Sequence, residues 1–215
     1  MKFKYLVILV AIVSLFALYG VSLVSHPVQI SLSALSEYNG QKVIIQGMVT
    51  DYRTTAFGSQ LITLRDSNNE NNSAVVYLEG EISVEFGDII QVIGEVQHYK
   101  DQWEVTVSNS QFITIVQNWG SQAYPLWQLA EHPEKYRNTN VNVTGIITQK
   151  QTSSFILTDP TEKYFIDVSY DTSHVSHFSN GDAVAVAGRF VYNPSLLRFV
   201  IQVTNNNHRI LRFAG

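Results

Sequence analysis

The residue types that could carry chemistry are sparse in this chain. His174-x-x-His177 sets two imidazoles at a metal-ligand spacing, with Asp171 the nearest third donor. The stretch reads as a loop between two strands, where exposed histidines also occur without any metal. Six histidines and no cysteine are present, which removes disulfides, thiolate metal centres and cysteine nucleophiles. The sequence holds no nucleophile elbow, phosphate-cradling glycine loop, HExxH or paired-carboxylate motif. Asp51 and Asp66 read as loop hydrogen-bond acceptors. The expectation is a protein that binds and does not catalyse, with no cofactor and no metal.

What remains is a set of aromatic and charged side chains, and their meaning depends on the elements that aim them. Hydrophobic residues make up 45% of the 215 positions and charged ones 15%, a balance that suits a β-rich chain. The net charge of −4, from 14 basic and 18 acidic residues, excludes a strongly basic nucleic-acid binder.

Residues 1–25 stand apart. After Lys2 and Lys4, the twenty residues from Tyr5 to Val24 carry no charge. As a helix rising about 1.5 Å per residue, that run crosses a hydrocarbon core of about 30 Å. A retained transmembrane anchor and a cleaved signal segment, with Gly20-Val21-Ser22 as a passable site, both fit. In either case the lysines stay in the cytoplasm and everything after Ser25 lies outside it.

The rest of the chain is written twice. Tyr38 to Gly47 aligns with Tyr136 to Gly145, Leu64-Arg65-Asp66 with Leu157-Thr158-Asp159, and Gly87-Asp88 and Gly94 with Gly181-Asp182 and Gly188. Each copy reads as five strands. The first copy's run Lys42–Tyr52, Gln60–Asp66, Ala74–Glu79, Asp88–Gln97 and Gln102–Val107. The second copy's run Asn140–Gln149, Ser154–Thr158, Lys163–Tyr170, Asp182–Val191 and Leu197–Val203. Apolar alternation fixes their faces: Val43, Ile45, Gly47 and Val49 point one way, and Ile44, Gln46, Met48 and Thr50 the other. Mid-strand Gly47 and Gly145 suit a first strand that bends around a small barrel. Leu32 to Tyr38 and Leu126 to Tyr136 read as short amphipathic caps, and Asn118 to Tyr124 as a linker. The domains expected are an anchor or signal segment over 1–25, a first barrel over 30–117 and a second over 124–213.

The pattern Ile-x-x-x-x-Leu-x-x-Tyr-x-Gly-Gln-x-Val-x-x-x-Gly-x-Val from Ile30 to Val49 resembles the start of OB-fold nucleic-acid-binding domains of the tRNA-anticodon-binding type. Gly87-Asp88-Ile89-Ile90-Gln91-Val92-Ile93-Gly94-Glu95-Val96 is similar to their fourth strand. The resemblance covers nearly all of residues 30–213. It implies an all-β chain of two tandem five-stranded OB-fold barrels after one N-terminal transmembrane helix, with single-stranded nucleic acid as ligand. OB folds also bind oligosaccharides and proteins, so a protein or glycan partner in the cell envelope is the alternative.

OB domains usually bind on the exterior of strands two and three. The alternation puts Thr63, Arg65, Val75 and Tyr77 there in the first copy, and Ile156, Thr158, Phe165 and Asp167 in the second. Tyr77 and Phe165 could stack on a base or sugar ring with Arg65 on a phosphate, or could pack on a neighbouring loop. Trp103 shares core parity with Val105 and Val107. Residues 30–117 hold four basic against eleven acidic side chains, a balance of −7, and residues 118–215 eight against seven, a balance of +1. A polyanion would therefore choose the second copy. Arg189 and Arg198 read as near-opposite outward residues on strands four and five, and Glu95 and Glu104 as their counterparts. The expectation is that the glutamates of one barrel meet the arginines of another, within the chain or by self-association.

The chain also resembles the haem chaperone of cytochrome c maturation, an anchored OB barrel that binds haem through a histidine followed four residues later by tyrosine. His208 stands in a comparable place, but position 212 is arginine and there are two barrels. Haem handling is therefore the weakest of the alternatives.

Overall fold

The computed structural model describes residues 5, 7, 8, 10–16, 26–67, 69–171 and 178–213. Strands β1 (Val28–Gln29), β2 (Lys42–Thr54), β3 (Gln60–Arg65), β4 (Ser73–Leu78), β5 (Ile89–Tyr99), β6 (Gln102–Val107) and β7 (Ile113–Gln117) form the first sheet. Strands β8 (Tyr124–Pro125), β9 (Thr139–Thr148), β10 (Ser154–Thr158), β11 (Phe165–Tyr170), β12 (Ala183–Asn193), β13 (Arg198–Val203) and β14 (Arg209–Arg212) form the second.

In each sheet five strands close on themselves. The order is β2-β3-β4-β6-β5 with β2 pairing back to β5, and β9-β10-β11-β13-β12 with β9 pairing back to β12. The third and fifth barrel strands run parallel, the others antiparallel. That order and closure define the OB fold. A register shift between Val49 and Asp51 lets β2 turn from β5 to β3, as a bulge does at a barrel corner. Gly47 and Gly145 sit where the next strand approaches closely. A Cβ at Gly47 would lie 3.0 Å from the Arg65 carbonyl oxygen, and one at Gly145 2.9 Å from that of Thr158.

Alternation builds each core. Val43, Ile45, Val49, Ile62, Leu64, Val76 and Leu78 are completely buried in the first barrel, and Val143, Ile147, Leu157, Val168, Val184 and Val186 in the second. The caps are present. A 3-10 turn over Leu32–Tyr38 buries Leu32 and Leu35, and the helix Leu126–Glu131 buries Leu126 and Leu129. Trp103 reaches the rim of the first core, half-buried against the His98 ring at 4.7 Å.

Four short strands fall outside the five-strand plan, and they too come in matched pairs. β1 and β8 run parallel to the first barrel strands, and β7 and β14 run antiparallel to the fourth. The duplication extends to hydrogen bonds. Asp88 Oδ2 accepts from the Glu85 amide at 2.9 Å and Asp182 Oδ2 from the Ser179 amide at 3.0 Å. The amides of Gly87 and Gly181 donate to the carbonyls of Val49 and Ile147, both at 2.8 Å. The repeated Gly-Asp motif is thus a turn lock that pins the start of the fourth strand to the first.

Asp159 locks the turn between β10 and β11 by accepting from the amides of Thr161 (3.0 Å) and Tyr164 (2.6 Å) and from the Thr161 hydroxyl. Burial opposes ionisation of this carboxyl, but the bonds from Thr161, Tyr164 and Lys163 together outweigh it and hold its pKa below the ordinary 3.8. A depressed carboxylate contributes stability above its ordinary pKa and loses it as pH falls through the folded value. Asp159→Asn is therefore expected to be less stable than the parent at pH 7, with the difference shrinking below roughly pH 4. Urea melts at the two pH values measure this.

Half of the apolar N-terminal run lies outside the described residues. Residues 10–16 are helical, with Val10, Ile12, Val13, Leu15 and Phe16 exposed. Among the described residues no helix is long and apolar enough to cross a membrane.

Candidate functional site

The two barrels meet along a seam that uses several of the side chains the alternation points outward. Met48 leaves the first barrel and is buried in the core cluster of the second. Arg65 crosses to the cap of the second barrel, where its Nη1 donates to the carbonyl oxygens of Glu134 and Arg137, both at 3.1 Å. Burial pulls its pKa down, with Glu134 and Glu70 opposing. Arg189 crosses the other way and lays its guanidinium 3.5 Å from the centre of the Phe86 ring. Its Nη1 is buried and has no hydrogen-bond partner among the described residues. Burial lowers the Arg189 pKa to about 10 despite Asp51 and Tyr52, which favour the charge.

Glu85 ties the seam together, accepting from Trp119 Nε1 at 2.7 Å and from Asn207 Nδ2 at 2.5 Å. The Asn140 amide donates to the Phe86 carbonyl at 3.1 Å. Asp88 accepts from the Trp119 amide at 3.0 Å, and burial raises its pKa even though the Glu85 and Trp119 amides favour its charge. The expected linker is therefore part of the contact.

These placements correct several expectations. Arg65 and Arg189 lie in the seam and not on an open ligand face. The supposed charge pairs are out of register. The two-residue turn Lys100-Asp101, both at positive φ, sets Tyr99 opposite Gln102. Glu95 then faces Thr106, and Glu104 faces Gln97, whose Nε2 donates to it at 2.5 Å. Arg189 faces Gln202 while Arg198 faces Asn193. Within the chain the glutamates do not meet the arginines: Arg198 Nε binds Asp167 Oδ2 at 2.7 Å. The haem reading fails on His208. Its ring is buried, with Nδ1 accepting from the amides of Thr204 and Asn205 and Nε2 against Asn140 Oδ1 at 3.4 Å. Neither nitrogen is available to an iron. His174 and His177 lie outside the described residues, and among the described residues no group of three or more His, Asp or Glu is placed to hold a metal.

Phe165 and Arg198 come together on the second barrel. Both line an apolar cavity of about 360 Å³ that opens between the helix Leu126–Glu131 and strands β11, β12 and β13. Leu129, Phe190 and Phe199 form its wall, and the rings of Phe190 and Phe199 stack at 4.7 Å. Phe165 stands at the mouth, 64% exposed, beside the Arg198–Asp167 ion pair. The alternation points Phe165 and Arg198 outward, and both are exposed. It did not find the cavity, because its wall is built from core residues of separate elements, Leu129 of the capping helix and Phe190 of β12 among them.

The matching face of the first barrel differs. Tyr77 is half-buried, with its hydroxyl 2.9 Å from Ser59 Oγ. The loop between β2 and β3 carries Phe57 at its tip, 96% exposed. An alternation pattern cannot single out Phe57, which belongs to no strand.

No protein-family description matches the chain, and no curated protein does. Several solved structures are similar in part. The aspartyl tRNA synthetase from Entamoeba histolytica is 12% identical with a TM-score of 0.34, covering 50% of this chain and 27% of its own. Telomere capping protein Ten1 from Saccharomyces pombe is 15% identical with a TM-score of 0.31, covering 42% of this chain and 81% of its own. The second OB-fold domain of replication protein A from Methanococcus maripaludis is 23% identical with a TM-score of 0.28, covering 37% of this chain and 88% of its own. This chain thus spans about a quarter of the synthetase's length. The OB assignment itself rests on strand order and closure.

Proposed function

We propose that this chain is a non-catalytic, membrane-tethered docking protein, whose second OB barrel holds an apolar segment of a protein partner outside the cytoplasm. The observation that carries the reading is the open apolar cavity with Phe165 at its mouth, set beside the commitment of the arginines. Arg65 and Arg189 hold the seam, Arg198 is paired with Asp167, and Arg212 reaches Asp182 at 3.3 Å. Nucleic-acid affinity rests on cations free to neutralise phosphates, and these four arginines are already engaged. A concave apolar site with a few polar groups at its rim suits a side-chain anchor of a protein partner. The tether is supported by the uncharged run behind Lys2 and Lys4, and the orientation by those two lysines.

The resemblance to nucleic-acid-binding OB domains defines the competing reading, with Phe57 and Tyr77 as its stacking residues. Two measurements decide between them. A single-stranded oligonucleotide titrated at low salt is expected to show no binding. Binding that weakens steeply with added salt would overturn the docking reading. A photo-crosslinking residue at position 165 is expected to capture a protein from native membranes, and a cavity-filling Leu129→Phe at least tenfold less of it. Equal capture with the cavity filled would also overturn the reading.

A further inference from the structure

Each sheet ends on one side in a short strand with no second neighbour among the described residues, β7 in the first and β14 in the second. An open edge offers unpaired amides and carbonyls to any passing strand, and proteins usually guard it with charge or proline. β7 has no guard. It reads Ile-Thr-Ile-Val-Gln, and no charged residue occurs between Glu104 and Glu131. Ile115 and Val116, at the bulge, are 39% and 53% exposed, so β7 presents apolar side chains beside its open edge.

β14 is open too, but its ends carry charge. Arg209 and Arg212 bracket Ile210 and Leu211, with Leu211 50% exposed and Phe213 exposed just beyond. Two β14 edges brought together would set arginine beside arginine, with Asp182 compensating Arg212. Two β7 edges would bring together two barrels of −7 each. Crosswise pairing avoids both penalties, placing the uncharged edge of the −7 barrel against the arginine-bracketed edge of the +1 barrel.

We propose that β14 of one copy adds to the open edge of β7 in a second copy, so that the protein associates head to tail through a continuous sheet. Main-chain hydrogen bonds supply the pairing, and Leu211 and Phe213 cover Ile115 and Val116. The contact uses a different surface on each copy, so it repeats and grows into a ring or a filament. No residue of β7 or β14 lines the second barrel's cavity, which stays open in the assembly for its own ligand.

The absence of native cysteine makes the test clean. Thr114→Cys and Leu211→Cys are made separately in the full-length chain, purified in mild detergent, mixed and treated with a short bismaleimide. A covalent dimer is expected from the mixture, with little from either variant alone. Adding Val116→Lys to the Thr114→Cys chain is expected to lower the dimer yield at least tenfold, with the urea melt unchanged. Gln117→Lys takes its place if Val116→Lys lowers the melt. No dimer in the mixture, a dominant dimer from Thr114→Cys alone, or a yield indifferent to the added lysine overturns the proposal.

Discussion

Gly87→Ala is expected to destabilise the protein roughly twice as much as Gly181→Ala, although the two glycines hold the same place in the two repeats. Both have positive φ, +95° and +93°, so an alanine is strained by a similar amount at each, about 1–2 kcal/mol. Their surroundings differ. At Gly181 an added Cβ meets nothing within 4 Å among the described residues. At Gly87 it would lie 2.6 Å from the Asn140 backbone oxygen and 3.1 Å from Trp119 Cβ, both across the seam. Backbone cannot swing aside as the end of a side chain can, so the barrels must separate locally, at a further cost of about 1–3 kcal/mol. Denaturant melts of the two variants isolate the seam from the turn. Small-angle scattering adds a second reading, with a larger radius expected for Gly87→Ala alone. Equal losses in the two variants would mean that the seam carries no strain at this point.

The contrast between these glycines shows which parts of the fold are legible in sequence. The Gly-Asp motif, the paired Leu-x-Asp and the inward run Val43, Ile45, Val49 are local or strictly periodic, and the strands follow from them to within a residue or two at most ends. The side chains reaching across the seam are not local. Arg65 finds Glu134 and Arg137, and Arg189 finds Phe86, over separations that no period encodes. Parity says that Arg65, Met48 and Arg189 leave their own barrel. It cannot say that a second barrel covers them. Register is the other gap. Strand membership of Glu95, Glu104, Arg189 and Arg198 can be read from pattern, but opposition depends on turn length, and the tight Lys100-Asp101 turn moves Glu104 two residues from the partner expected for it. Edge strands as short as β7 and β14 are invisible for a third reason, since four or five residues give alternation too little length to declare itself.

Arg189 offers the sharpest separation between a ligand contact and a seam contact, because the two roles predict opposite responses to one pair of substitutions. A ligand arginine on an open face would tolerate alanine with little change in stability and would lose binding with alanine and methionine alike. In the seam the guanidinium covers the Phe86 ring at 3.5 Å, and the side chain is half-buried beside Tyr52 and Asn140. Alanine removes that cover and leaves a void, with an expected loss of about 2–4 kcal/mol from packing and the cation–ring contact together. Methionine keeps the volume and the contact with Phe86 while removing a charge whose Nη1 is buried without a partner. Replacing a poorly satisfied buried charge by an apolar side chain of similar size is often neutral or favourable, so Arg189→Met is expected to lie within about 1 kcal/mol of the parent or above it. Paired melts, each repeated in a Phe86→Leu background, complete the measurement. The alanine loss should shrink when the ring is gone, because its partner has gone with it. An unchanged loss would place the stabilising contact of Arg189 with Asp51 and not with the ring.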